Sequence, residues 1–218
     1  MTMAERPEII PSILVKTRLQ AVKRLKRAAI VAKKVQIDII DGKFAPNRTV
    51  MPKDFQGIKS KLRFEFQLMV KHPERYVHDV ASIPQASLLI FHVEALHSYQ
   101  HALALIGHAR FHNLCVGIAL NPETPASRIK RYLRLVDHVL VMTVHPGFMR
   151  QKFIDMSKKI KQIRKWNKKV DIEVDGGIHH TTARICRKAG ANLFVVGSAL
   201  VDSSDIKAEY RALKREVS

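Results

Sequence analysis

The stretch Val35–Gly42, VQIDIIDG, is an apolar β-branched run interrupted by Asp38 and closed by Asp41 and Gly42. Branched side chains favour the extended chain, and a polar residue with glycine behind it marks where a strand gives way to a loop. The spacing predicts a strand over Lys34 to Ile39, with seven more of the same kind around it. These are Glu8 to Leu14, Phe64 to Met69, Leu88 to His92, Leu114 to Ala119, His138 to Met142, Val170 to Val174 and Leu193 to Val196. Helix-period segments alternate with them near residues 17 to 31, 53 to 61, 74 to 82, 98 to 111, 125 to 135, 153 to 167, 180 to 189 and 204 to 215. Eight strands and eight helices at roughly 27 residues per unit match a small α/β protein of the (β/α)8 TIM-barrel type, one domain over residues 1–218. A doubly wound open sheet is the alternative, but its glycine-rich phosphate fingerprint is missing after the first strand.

Composition agrees with one globular domain. Of 218 residues, 46% are hydrophobic and 26% charged, which excludes disordered and collagen-like chains. A chain of this size can bury about 70% of its surface without disulfides or metals. Cys115 and Cys186 are too few and too far apart for a zinc knuckle or a CxxC motif, so a reducing compartment is expected. Residues 1–5 lack the apolar run of a signal peptide and no stretch reaches membrane-spanning length, so the expectation is a soluble cytoplasmic protein with no membrane partner. Lys and Arg total 38 against 19 Asp and Glu, a formal charge of +19. The positive residues cluster in Lys16 to Lys34 and Lys158 to Lys169, interleaved with apolar residues as in amphipathic helices with basic outer faces. A solvated face is favoured over a nucleic-acid patch, since no recognition motif or aromatic interleaving accompanies the charge. Such a field also draws in small phosphorylated substrates.

In a (β/α)8 barrel, chemistry sits where the strands end at the C-terminal face. The strand ends here carry Ser12, Asp38 and Asp41, Gln67, His92 and Glu94, Asn121, Thr143 to Gln151, Asp175 with Gly176 and Gly177, and Gly197 with Ser198. Asp38 and Asp175, the latter in IEVDGGI, end apolar strands on opposite sides of the expected mouth. Two carboxylates there suit proton removal on one face of a small substrate and return on the other, with like charges pushing their pKa values apart. The structural alternative is that either Asp only caps the following loop or helix.

The chain resembles the ribulose-phosphate 3-epimerase family along nearly its whole length. The matching segments are PSIL (Pro11 to Leu14), DIIDGKFAPN (Asp38 to Asn47), QLMVKHPERY (Gln67 to Tyr76), FHVEA (Phe91 to Ala95), VMTVHPGF (Val141 to Phe148), QKF (Gln151 to Phe153), IEVDGGI and VVGSAL (Val195 to Leu200). The resemblance implies a ribulose-phosphate-binding barrel, a homo-oligomer, that interconverts ribulose 5-phosphate and xylulose 5-phosphate through an enediolate. Asp38 and Asp175 match the family's acid/base pair and Ser12 a substrate contact. Gly176, Gly177, Gly197 and Ser198 match the phosphate cradle, where glycine lets backbone N–H groups approach a dianion.

Two departures stand out. Gln36 and Gln67 occupy the positions of two histidines that, with Asp38 and Asp175, hold the family's divalent metal. An amide oxygen is a harder, weaker ligand than imidazole, so magnesium or manganese is expected over zinc, or no metal at all. Amide N–H2 groups could instead bond the reacting oxygens. In the loop after the sixth strand, where the family has Gly-Phe-Gly-Gly-Gln, this chain has Gly147, Phe148, Met149, Arg150 and Gln151. These remain candidate substrate contacts, with Arg150 either a charged phosphate donor or an outward-pointing side chain. His145 and Ile40 also replace usual family residues. The alternatives are an epimerase or lyase on another phosphosugar, such as allulose 6-phosphate, and an inactive phosphate- or polyanion-binding homologue. His97 and His101 are spaced to chelate a metal but lack a third ligand nearby in the sequence.

Overall fold

The computed structural model describes residues 7–148 and 150–218; Met149, one of the expected contacts, lies outside them. Strand period two sorts the side chains. In the second strand Val35, Ile37 and Ile39 join the main apolar cluster with helix residues such as Leu25 and Ala28, while the alternating Lys34, Gln36 and Asp38 are buried polar residues. The strands are β1 (Glu8–Ile13), β2 (Lys34–Ile40), β3 (Arg63–Met69), β4 (Ala86–His92), β5 (Cys115–Leu120), β6 (His138–Met142), β7 (Asp171–Asp175) and β8 (Leu193–Val196). They close a barrel in sequence order, with β1 paired to β8 and every neighbour parallel. The expected (β/α)8 architecture is therefore present.

The outer layer contains α1 (Arg18–Ala28), α2 (Val77–Ala81), α3 (Tyr99–Phe111), α4 (Ser157–Trp166), α5 (His180–Ala189), α6 (Ser198–Val201) and α7 (Ile206–Val217). Thr17, Ser98 and Asp205 cap α1, α3 and α7 by accepting from backbone N–H groups of the first turn. Two expected helices are instead 3-10 segments. Pro52–Phe55 stops short, with Gly57 in a left-handed conformation (φ 71°) two residues on. Ala126–Tyr132 buries Ala126, Ile129 and Tyr132, a three-residue spacing that suits three residues per turn rather than 3.6.

Of the two basic stretches, Lys16, Lys23, Lys26, Lys158, Lys161 and Lys165 are exposed as expected, whereas Lys34, Lys159 and Arg164 turn to internal partners. Lys34 is buried at the base of the barrel, its Nζ 3.0 Å from Glu65 and 3.2 Å from Glu8. Burial opposes its charge, but Glu65 and Glu8 raise its pKa. Lys159 donates at 2.8 Å to the carbonyls of Asn121 and Pro122. Arg164 bonds the carbonyls of Gly190 and Val170. These three cations bind internal carboxylates and carbonyls instead of forming a basic face.

Candidate active site

The barrel interior is apolar on one side only. Leu88, Ile90, Ala119, Leu140, Met142 and Val144 form one inner cluster and Ile10, Leu193 and Val195 another. The remaining inward positions of β2, β3 and β7 are polar, and they lead up to a cavity of about 200 Å³ at the C-terminal mouth. Ser12, Asp38, Gly147, Phe148, Arg150, Asp175, Gly176, Gly177, Gly197 and Ser198 line it. These are all the expected contacts apart from Gln36, Gln67 and the undescribed Met149. Leu14, Met69, Met142 and Val144 supply apolar wall, and the half-exposed Phe148 stands at the rim.

Asp38 is buried and accepts the Ser12 hydroxyl at 2.6 Å and the Gln36 amide at 2.9 Å. Burial pushes its pKa up to about 6, against the lowering effect of those two hydrogen bonds. Asp175 is pushed well above the usual carboxylate range by burial and by the neighbouring Asp38 charge. Threonine hydroxyls fix both backbones. Thr49 donates to the Asp38 carbonyl at 2.7 Å and Thr143 to the Asp175 carbonyl at 2.9 Å. Thr49 carried no sequence signal, because it lies eleven residues past Asp38 and folds back across the β2 end.

Gln36 and Gln67 are fully buried beneath the two carboxylates and do not line the cavity. The Gln36 nitrogen sits 2.9 Å from Asp38, 3.2 Å from Asp175 and 2.8 Å from the Gln67 oxygen. His92, also fully buried, lies behind, with Nε2 3.0 Å from the Gln67 nitrogen and Nδ1 3.4 Å from Glu94. Glu94 accepts from the Asn121 N–H at 2.8 Å and from the Thr124 hydroxyl. Burial acts to raise its pKa, but the His92 contact and these donors bring it down to about 2.

Gly176 (φ 113°) and Gly177 (φ 63°) are in the left-handed region. A Cβ on Gly176 would stand 2.3 Å from Val144 Cγ2, and one on Gly177 3.1 Å from Phe153 Cβ. The Gly-Gly turn is therefore required by both torsion and space. The loop after β6 is closed by Gln151, whose Nε2 donates to the carbonyls of His145 (2.6 Å) and Phe148 (2.8 Å), and by Asn47, which donates to Gly147 (2.6 Å). Arg150 adopts φ 63°, is largely exposed and lies 3.7 Å from Asp202, so its guanidinium is directed to the rim.

Other strand-end residues have local roles. Asp41 accepts the N–H groups of Lys43, Phe44 and Lys71 and shapes the loop after β2. His145 pairs with Glu123 at 2.7 Å. His97 and His101 stack on each other, and Glu74 lies 3.3 Å from His101 and 3.4 Å from His72. Among the described residues, no group of three or more His, Cys, Asp and Glu is arranged to hold a metal ion, and no helix is long and apolar enough to cross a membrane.

Fold and cavity define a (β/α)8-barrel enzyme with two strand-end carboxylates at its C-terminal mouth. The model of the ribulose-phosphate 3 epimerase family matches residues 8–201, and the chain belongs to that family. It is 38% identical to the ribulose-phosphate 3-epimerase of Bacillus subtilis over 181 residues, 79% of this chain and 82% of that protein. To the Escherichia coli enzyme of the same name it is 31% identical, over 88% of each chain. Among solved structures, a 3-hexulose-6-phosphate synthase shares the fold with a TM-score of 0.69 at 18% identity, over 97% of this chain and 100% of that one.

Proposed function

We propose that this chain is a sugar-phosphate 3-epimerase that interconverts ribulose 5-phosphate and xylulose 5-phosphate. The observation that carries the reading is the pairing of Asp38 and Asp175 over one buried amide at the floor of the cavity. Family membership supports the substrate. The ionised member of the pair takes the proton from C3, leaving an enediolate, and the protonated member delivers a proton to the opposite face of C3. One carboxyl gains the proton that the other loses, so the pair ends each turnover with its proton count unchanged. The mutual repulsion of two buried acids supports this one-proton state.

Gly176, Gly177, Gly197 and Ser198 are read as the phosphate cradle and Ser12 as a contact to both Asp38 and substrate. Gly147 and Phe148 cover the sugar, and Arg150 serves the rim. Gln36 and Gln67 act on the reaction from beneath the carboxylates. Were the oxygens of Asp38 and Asp175 to hold a divalent ion, magnesium or manganese would suit them better than zinc. We read residues 1–218 as one domain working as a homo-oligomer in the cytoplasm. The +19 charge is read as a field favouring anionic substrates rather than a nucleic-acid site.

The test is deuterium wash-in from D2O at C3 of ribulose 5-phosphate, with xylulose 5-phosphate followed in the same tube. Exchange and product are expected from the wild type, with a fall of roughly 10²- to 10⁴-fold in Asp38→Asn and in Asp175→Asn. A folded wild type that exchanges only allulose 6-phosphate would move the substrate to a hexulose phosphate, and no exchange with either sugar would overturn the reading.

A further inference from the structure

The family resemblance implies a divalent cation between Asp38 and Asp175, and the donors around that point do not fit one. Gln36 turns its nitrogen toward the two carboxylates, at 2.9 and 3.2 Å, while its Oε1 is buried without a hydrogen-bond partner. An amide nitrogen bearing two hydrogens offers no lone pair to a metal and presents its positive end to one. Gln67 completes the arrangement with its amide oxygen inward, accepting from Gln36 at 2.8 Å. Turned over, its nitrogen would stand 3.1 Å from Asp175 and 3.2 Å from Asp38, and its oxygen 3.0 Å from His92 Nε2, but the nitrogen would also meet the Gln36 nitrogen at 2.8 Å, donor against donor. With the Gln36 nitrogen set between the two carboxylates, amide N–H groups stand where a cation would have to bind.

We infer, resting on the epimerase reading above, that the N–H donors of Gln36 and Gln67 replace the divalent cation, and that the reaction of this chain is independent of metal. The glutamines are positioning residues: they act by holding Asp38 and Asp175 at one spacing. Charge-assisted N–H bonds to a carboxylate are about twice as strong as neutral ones, which gives an uncharged amide enough hold for this purpose. Gln67 is fixed in turn by the His92 and Glu94 contacts behind it.

The test uses chelator-treated wild type, titrated with MnCl2 and ZnCl2 in a calorimeter and assayed in parallel by deuterium wash-in. Asp38→Asn serves as the control, so that metal taken up non-specifically by exposed side chains elsewhere is not counted. The expected result is no heat that Asp38→Asn abolishes, and an exchange rate that changes less than about 2-fold with chelator or Mn2+. A stoichiometric site tighter than about 10 μM that is lost in Asp38→Asn overturns the inference and leaves the epimerase reading standing. Exchange absent under every condition overturns the epimerase reading, and the calorimetry then decides the cation question alone. Two variants test the glutamines directly. Gln36→His with Gln67→His should gain a Mn2+ or Zn2+ site that Asp38→Asn removes. Gln36→Leu, which keeps bulk without the donor, should move the acid limb of the pH–rate profile upward. An acid limb that stays in place in folded Gln36→Leu would overturn the positioning role.

Discussion

The Ser12 hydroxyl donates to Asp38 Oδ2 at 2.6 Å, from β1 to the inward face of β2, inside the buried floor of the cavity. This bond favours the ionised carboxylate against a burial cost that otherwise raises its pKa to about 6. Ser12→Ala should therefore move the acid limb of kcat/KM to higher pH by about one unit, equivalent to about 1.4 kcal/mol, with a loss of activity near pH 6 that recovers at higher pH. A pH–rate profile of the folded variant checks this; an unmoved limb would remove Ser12 from the control of Asp38.

The carboxylate pair sets the wild-type profile. A base must be ionised, so kcat/KM should rise as pH passes through about 6, the value to which burial pushes Asp38. An acid must be protonated, so the rate should fall again at higher pH, where the second proton of the pair is lost; Asp175 is shifted well above its usual range. The two inflections belong to the coupled pair rather than to single residues. Rates measured from pH 4.5 to 9.5 should trace a bell, and Asp175→Asn should abolish the alkaline limb in the residual activity.

Gly176→Ala should be destabilising as well as damaging to the cavity. The backbone there lies at φ 113°, and the added methyl would meet Val144 at 2.3 Å. Strain at such a position costs on the order of 1–3 kcal/mol and overpacking a similar amount, so urea unfolding should show a loss of about 2–5 kcal/mol. Competition by inorganic phosphate should weaken in the same variant if this turn forms the cradle.

Glu94 links stability to pH. Its folded pKa is lowered to about 2 from 4.5, so its contribution is present above about pH 4.5 and disappears as pH falls toward 2. Glu94→Gln should lose about 1–2 kcal/mol at pH 7, since it removes a charged acceptor from the Asn121 N–H, the Thr124 hydroxyl and His92. The gap in melting temperature between wild type and variant should narrow below pH 4.5. A gap that is constant across the range would assign the loss to packing alone.

Much of the molecule was legible along the chain because its signals are local. β-branched runs mark the eight strands, and α5 (His180–Ala189) falls on the expected residues 180–189. Less legible were segments decided by packing. Ala126–Tyr132 carries residues that a helix tolerates, but the three-residue spacing of its buried side chains against the barrel selects the tighter 3-10 form. Lys34 reads as part of a basic face, yet the β2 pleat turns it into the barrel, where Glu65 and Glu8 meet it.

By itself, the sequence determined the α/β class, the barrel and the carboxylates at its strand ends, because each is a matter of residue type at a given spacing, and the family resemblance marked the two glutamines as standing where histidines are expected. Only the tertiary structure decided what those glutamines do. Their roles depend on which atom of a symmetric-looking amide faces the carboxylates, and on a partner set drawn from β2, β3, β4, β6 and β7 that no local pattern brings together. The same holds for Thr49, Arg150 and Lys34, whose side chains find their partners through the closure of the barrel and the folding back of its loops, and therefore through contacts far apart in the chain.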